Sequence, residues 1–145
     1  MTEPSDLIVV IDTREQKPYR FPGAVTKALA AGDYSVLGLE CRVAVERKEK
    51  ADAYNSLGRG RERFERELQR LSTYDYAAIV IEAALSDFLR PPGFSRMSPK
   101  AAVNTLVSWS IRYGVHVYFA DSRRLGQALT LRILEKYRKH RGGLP

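Results

Sequence analysis

Hydrophobic positions along the chain fall into short runs with two different periods. "LIVVIDTRE" (7–15) opens as an unbroken apolar run that stops at Asp12. It is too short for a helix and rich in β-branched residues, so it predicts a buried strand. "DYSVLG" and "CRVAVERK" predict two more strands joined by a turn around Gly38–Glu40. "YAAIVIEA" (76–83) and "VHVYFA" (115–120) predict another two. In "CRVAVERK" the alternation of a strand puts Val43 and Val45 on one face and Ala44, Glu46 and Lys48 on the other.

Helical spacing occupies the intervals. "AVTKALAAG" (24–32) has helical composition, with Gly32 where a C-terminal cap belongs. Residues 52–72 read as helix with a break near Gly58 and Gly60, and Phe64, Leu68 and Leu71 mark its apolar face. A brief helical turn follows the fourth strand and ends at the Pro91–Pro92–Gly93 breaker. Ser98 then caps a helix with Pro99 at its first position, running to about Tyr113. Asp121 is expected to cap the last helix, which carries Leu125, Leu129, Ile133 and Tyr137 at four-residue spacing. The order β-α-β-β-α-β-α-β-α predicts an α/β fold, a three-layer α/β/α sandwich around a central mixed β-sheet. One domain over residues 7–140 is expected, with residues 1–6 and 141–145 as flexible ends.

Composition narrows the partners. The 145 residues carry a formal net charge of +7, which suggests an anionic partner such as nucleic acid, or simply a basic surface that aids solubility. No apolar run reaches the roughly 20 residues of a membrane span. The acidic start "MTEPSDLIVV" predicts no secretory signal. Cys41 is the only cysteine, which excludes an internal disulfide and a cysteine-rich zinc site. It is expected to be a small buried hydrophobe. His116 reads as a structural mid-strand residue, and Trp109 and Tyr113 as packing residues on their helix.

Three acids, Asp12, Asp33 and Glu46, fall at predicted strand ends or turns, with Lys48 and Asp52 shortly after Glu46. Two carboxylates from neighbouring strands plus a backbone carbonyl suffice for Mg²⁺, which keeps several waters. A lysine beside them could orient or deprotonate an attacking water, or stabilise phosphate charge. The tripeptide Glu46–Arg47–Lys48 alone is better read as a surface ion pair worth about 0–1 kcal/mol.

The motifs taken together are more specific. "ERKEKAD" resembles the E-R-K-x-x-x-D signature of the XPF/Hef family of structure-specific endonucleases, a branch of the restriction-endonuclease-like nucleases. "IDTRE" is similar to that family's first-strand D-x-R-E motif and "GDY" (32–34) to its G-D-Y motif, in the family's order. The resemblance covers roughly residues 7 to 140 and implies a restriction-endonuclease-like sandwich. It implies that Asp33 and Glu46 bind metal, that Lys48 is the catalytic lysine, and that Arg47 contacts phosphate or orders the site. Asp12 (as a further metal-binding residue), Arg14 (also as a DNA-binding residue) and Asp52 (counted with the catalytic group) look like supporting or second-metal residues. Arg59, Arg61 and Arg63, at a glycine-loosened helix start, are candidates for DNA phosphates or for an ordinary solvated helix face.

The resemblance further implies a Mg²⁺- or Mn²⁺-dependent endonuclease acting on flapped, forked or branched DNA. It implies a homodimer formed through the helices, with Ala128, Leu131 and Leu134 adding apolar surface to the last one. A DNA-binding or clamp-like protein partner is a further expectation, since the larger relatives carry appended DNA-binding modules. The setting implied is cytoplasmic, at the nucleoid, in a prokaryote or phage, and nuclear in a eukaryote. A non-catalytic DNA-binding subunit and a Holliday-junction resolvase remain alternatives; retention of Asp33, Glu46, Arg47, Lys48 and Asp52 favours the enzyme.

Overall fold

The computed structural model describes residues 7–142. The expected loose ends at 1–6 and 143–145 lie outside the described residues, whereas Arg141 and Gly142 belong to a π-helical turn, Arg138–Gly142. Six strands form one mixed sheet: β1 (Val9–Asp12), β2 (Val25–Lys27), β3 (Tyr34–Val36), β4 (Val43–Lys48), β5 (Tyr76–Ile81) and β6 (His116–Phe119). Their order is β2-β1-β3-β4-β5-β6. The β1–β3 and β3–β4 pairs are antiparallel, and β4, β5 and β6 run parallel.

Two layers of helix cover the sheet, as the apolar patterning requires. On one face lie α1 (Lys50–Leu57), α2 (Arg61–Leu71) and α4 (Pro99–Tyr113), with Ala44, Ile79 and Ile81 beneath them. On the other lies α5 (Arg123–Tyr137), over Val43, Val45, Ala78 and Val80. The short α3 (Leu85–Phe88) follows β5. The expected α/β/α sandwich is present, and Phe64, Leu68 and Leu71 form the buried stripe of α2.

Local expectations needed correction. Residues 24–32 do not form a helix: Val25–Lys27 pair in parallel with β1 as the edge strand β2. The unpaired edge of β1 captures these residues, and side-chain bonds then hold the following turn. The Leu29 N–H donates to Asp12 Oδ1 at 2.8 Å, and Arg14 donates to the Leu29 carbonyl at 2.7 Å. Gly32 is left-handed (φ +78°), but in the turn before β3 and not at a helix end. Ser122, not Asp121, caps α5 by accepting from the Leu125 N–H, while Asp121 takes a positive φ of 76°. Cys41 is exposed, because it precedes β4 in the turn. His116 is exposed at the first position of β6, stacked on Tyr76 with centroids 4.4 Å apart.

The turn at Gly32 sets the position of Asp33. The Asp33 N–H donates to the Val45 carbonyl and its own carbonyl accepts from the Asp12 N–H, both at 2.8 Å, so the residue is clamped between β1 and β4. A Cβ at Gly32 would come within 2.9 Å of the Ala44 Cβ, in a backbone conformation that L side chains rarely adopt. Gly32→Ala is therefore expected to cost about 1–3 kcal/mol in chemical denaturation. An unchanged midpoint would show that the turn is not strained by a side chain.

Candidate active site

Strand β4 carries the site because its alternation separates three consecutive polar side chains. Glu46 and Lys48 point to the α1–α2 face; Arg47 points to the α5 face. On the first face a cleft of about 350 Å³ is lined by Glu46, Lys48, Asp52, Ser56, Arg63 and Glu67 among others. Lys48 Nζ lies 3.6 Å from Glu46 Oε2, donates to Ser56 Oγ at 2.9 Å and sits 4.8 Å from the centre of the Phe64 ring. Asp52 projects from the first turn of α1.

Asp33 meets this group from the neighbouring turn. Its Oδ2 accepts the backbone N–H of Arg47 at 2.7 Å, which ties the carboxylate to β4. Burial pushes the Asp33 pKa up, against the lowering effect of that N–H, with Glu15 adding to the rise. Burial likewise raises Glu46, and the charges of Asp33 and Glu67 raise it further while Lys48 opposes them. Two carboxylates held where neither ionises easily match a divalent cation that takes two protein oxygens and keeps its waters. Among the described residues no three His, Cys, Asp or Glu side chains converge closely enough to hold a metal by themselves. The donor set therefore fits Mg²⁺ or Mn²⁺ through Asp33 and Glu46, and not a metal that needs a full protein cage.

On the opposite face Arg47 is almost fully buried. Its guanidinium donates to Glu15 at 2.8 and 3.2 Å and to Glu82 at 3.4 Å, with Glu49 3.6 Å away. Burial would lower its pKa, but the Glu15 hydrogen bond and charge, with Glu82, raise it above the ordinary arginine value. Tyr34 donates to Glu15 at 2.8 Å, Tyr19 donates to Glu82, and the two rings stack 5.2 Å apart. Of the two roles expected for Arg47, the geometry supports ordering; its side chain is turned away from the cleft.

The remaining candidates separate. Asp12 is 4% exposed and has both oxygens engaged by Arg14 and the Leu29 N–H. Burial alone would raise its pKa, yet those hydrogen bonds hold it below the usual range. It thus braces the turn that carries Asp33, and Arg14 extends outward from it. Arg63 lines the cleft, and Arg59 is exposed in the α1–α2 connection. Arg61 instead lies over Trp109 at 4.7 Å and donates to the Leu57 carbonyl.

Sequence reasoning assigned no role to Glu15 and did not consider Glu67, Arg70, Ser56, Glu82 or Tyr19 for the site. Glu67 Oε2 accepts the Gly32 N–H at 2.9 Å, docking α2 onto the turn that presents Asp33, and Glu67 pairs with Arg70 at the cleft wall. The helical spacing placed Glu67 beside the buried stripe of α2, but nothing local marked it from the other charges of "RERFERELQR".

The sequence matches the ERCC4 domain family over residues 11–131. No curated protein matches it. Among solved structures, XPF from Aeropyrum pernix aligns with a TM-score of 0.68 at 23% identity, covering 92% of this chain and 66% of that one. The same protein in complex with DNA aligns equally well, with 65% of its chain covered. This chain thus spans about two thirds of the length of those proteins, and the likeness establishes a shared fold.

Two measurements test the site. Arg47→Ala leaves Glu15 buried without a cation and Glu82 with only Arg123, 3.8 Å away, and is expected to destabilise the fold by about 3–5 kcal/mol in denaturant titration. In EDTA, raised carboxylates make the folded state bind more protons than the unfolded one, so stability falls as pH rises. The window begins above the unfolded carboxylate range, roughly pH 5, and closes as the pH passes about 7 for Asp33 and about 8 for Glu46. Thermal melts of the wild type should decline across it and those of Asp33→Asn should flatten; equal slopes would refute the coupling.

Proposed function

This chain belongs to the ERCC4 domain family, and from that premise we propose that it is a divalent-metal-dependent endonuclease acting on flapped, forked or branched DNA. The observation that supports this reading most directly is that Asp33, tied to the Arg47 N–H, sits close enough to feel the charges of Glu46 and Lys48, which line one cleft with Asp52 at its wall. A non-catalytic relative would have no physical reason to keep two destabilised carboxylates beside a lysine.

Asp33 and Glu46 would hold Mg²⁺ or Mn²⁺, which supplies Lewis-acid stabilisation of charge on the phosphate. Lys48, braced by Ser56, places its ammonium where it can orient the attacking water or offset charge on the phosphate. Asp52 supports water or a second cation from α1. Glu67 and the Arg47 N–H fix where Asp33 points. Arg63 and Arg70, at the cleft wall, supply phosphate contacts that give affinity without sequence specificity.

The chain is proposed to work as a homodimer. Leu134 is fully buried in its own core, so α5 offers less free surface than its sequence pattern suggested. Val107 of α4, 53% exposed, lies beside His116, Val117 and Tyr118 of the edge strand β6, and Ile111, 78% exposed, follows four residues along the helix; both suit a second copy. Sedimentation should show twice the chain mass, reduced to one chain by Ile111→Arg; a monomeric wild type at micromolar concentration removes the proposal.

The central test is cleavage of end-labelled forked, 3′-flap and four-way-junction DNA. Cutting should require Mg²⁺ or Mn²⁺ and fall by at least about 10²-fold in Asp33→Asn and Lys48→Ala, consistent with loss of a principal electrostatic group. Preference for four-way junctions over flaps would favour the resolvase. Binding without cutting by the wild type would favour the non-catalytic subunit.

A further inference from the structure

The segment that follows α3 has features unrelated to holding the core. Because β4 and β5 are parallel with Lys48 opposite Ile81, the chain leaving β5 emerges at the end of the sheet that carries Glu46 and Lys48. There the Glu82 N–H donates to the Lys48 carbonyl, Lys50 contacts Asp87 at 3.3 Å, and Tyr54 donates to the Phe88 carbonyl at 2.6 Å. The segment is thus fastened to the strand and helix that build the cleft.

It is held rigidly and yet exposes apolar surface. Phe88 is fully buried and Met97 packs on the core, so both ends are anchored. Between them Pro91–Pro92 restricts the backbone, the Ser95 N–H donates to the Pro92 carbonyl, and the Met97 N–H donates to Ser95 Oγ. This braced loop presents Phe94 at 61% exposure, with Leu89 at 44% and Leu85 at 46%. Arg90, Arg96 and Lys100 flank the aromatic ring in sequence, and no acidic residue occurs between Asp87 and Asp121. Asp87 itself is engaged by Lys50.

An exposed aromatic ring on a loop anchored at both ends, with exposed cations close to it in sequence, matches an unpaired nucleic-acid strand: bases stack on the ring and phosphates meet the charges. A second copy of this chain fits poorly, because like charges would face each other. We propose that the Leu89–Met97 loop is a junction-reading element, in which Phe94 stacks on a base exposed where duplex DNA opens while Arg90 and Arg96 hold the adjoining phosphates. This rests on the DNA-endonuclease reading and adds how a branch is distinguished from plain duplex: an unpaired base has a free π-face, whereas a stacked pair does not.

The test measures equilibrium binding in EDTA of forked and fully duplex DNA of equal length, with 2-aminopurine at the first unpaired position of the fork. The wild type should favour the fork and change the 2-aminopurine fluorescence. Phe94→Ala should reduce fork affinity by about 5-fold or more, abolish the fluorescence change and leave duplex affinity unaltered. Phe94→Trp should restore both. Arg90→Ala and Arg96→Ala should weaken fork and duplex alike and each lower the salt dependence by about one ion. Unchanged fork preference and fluorescence in Phe94→Ala overturn this inference while leaving the nuclease reading intact. So does a Phe94→Ala protein that loses a partner chain in sedimentation but binds the fork normally. A wild type that binds neither DNA overturns both.

Discussion

The structure turns on the two-sidedness of β4. Three consecutive polar residues at the end of a central strand must be satisfied on two faces at once, and each face imposes a different solution. Toward α5, Arg47 is desolvated and survives only because Glu15 and Glu82 surround it. Toward α1 and α2, Glu46 and Lys48 face a cleft that a ligand can enter. The same backbone serves both faces: the Arg47 N–H reaches the Asp33 carboxylate while its side chain locks the strand from behind. Ordering on one face is what makes the other face's geometry reproducible.

Much of the rest of the molecule exists to hold partners for these groups. The β1–β2 loop returns Glu15 and Tyr19 to the α5 face, where Tyr19 stacks on Tyr34 and reaches Glu82. Gly126 of α5 is needed because a Cβ there would strike the Tyr19 hydroxyl. On the cleft side, Asp12 and Arg14 brace the turn before β3 and Glu67 docks onto it from α2. Asp33 is consequently fixed by contacts from β1, β4 and α2 before any cation arrives. That preorganisation carries a cost, since two carboxylates are kept in surroundings that disfavour their charged forms. A bound cation, as proposed, would relieve it and would couple metal affinity to pH and to stability.

What was legible in the chain follows from locality. Strand alternation in "CRVAVERK" assigned Val43 and Val45 to one face and Glu46 and Lys48 to the other, and the helical period of α2 named its buried stripe, because both depend only on side-chain direction along one element. The sandwich followed from the alternation of strand and helix patterns, and a family motif spread over three segments pointed to the site. Residues 24–32 show the limit: their helical composition is overridden by the open edge of β1 and by an Asp12 carboxylate distant in sequence.

Sequence by itself thus determined the layers, the faces of the strands and the group of residues gathered around Asp33, Glu46 and Lys48. Tertiary structure alone decided that Arg47 is a buried brace, that Asp12 is saturated by Arg14 and the Leu29 N–H, and that Arg61 lies on Trp109. It alone gave Glu67 its place at the Gly32 turn and tied the start of the loop bearing Phe94 to α1 through Tyr54. The reason is physical: a charged side chain's role is set by what desolvates it and by which opposite charge it meets. Those neighbours come from segments whose separation along the chain says nothing of their distance in space.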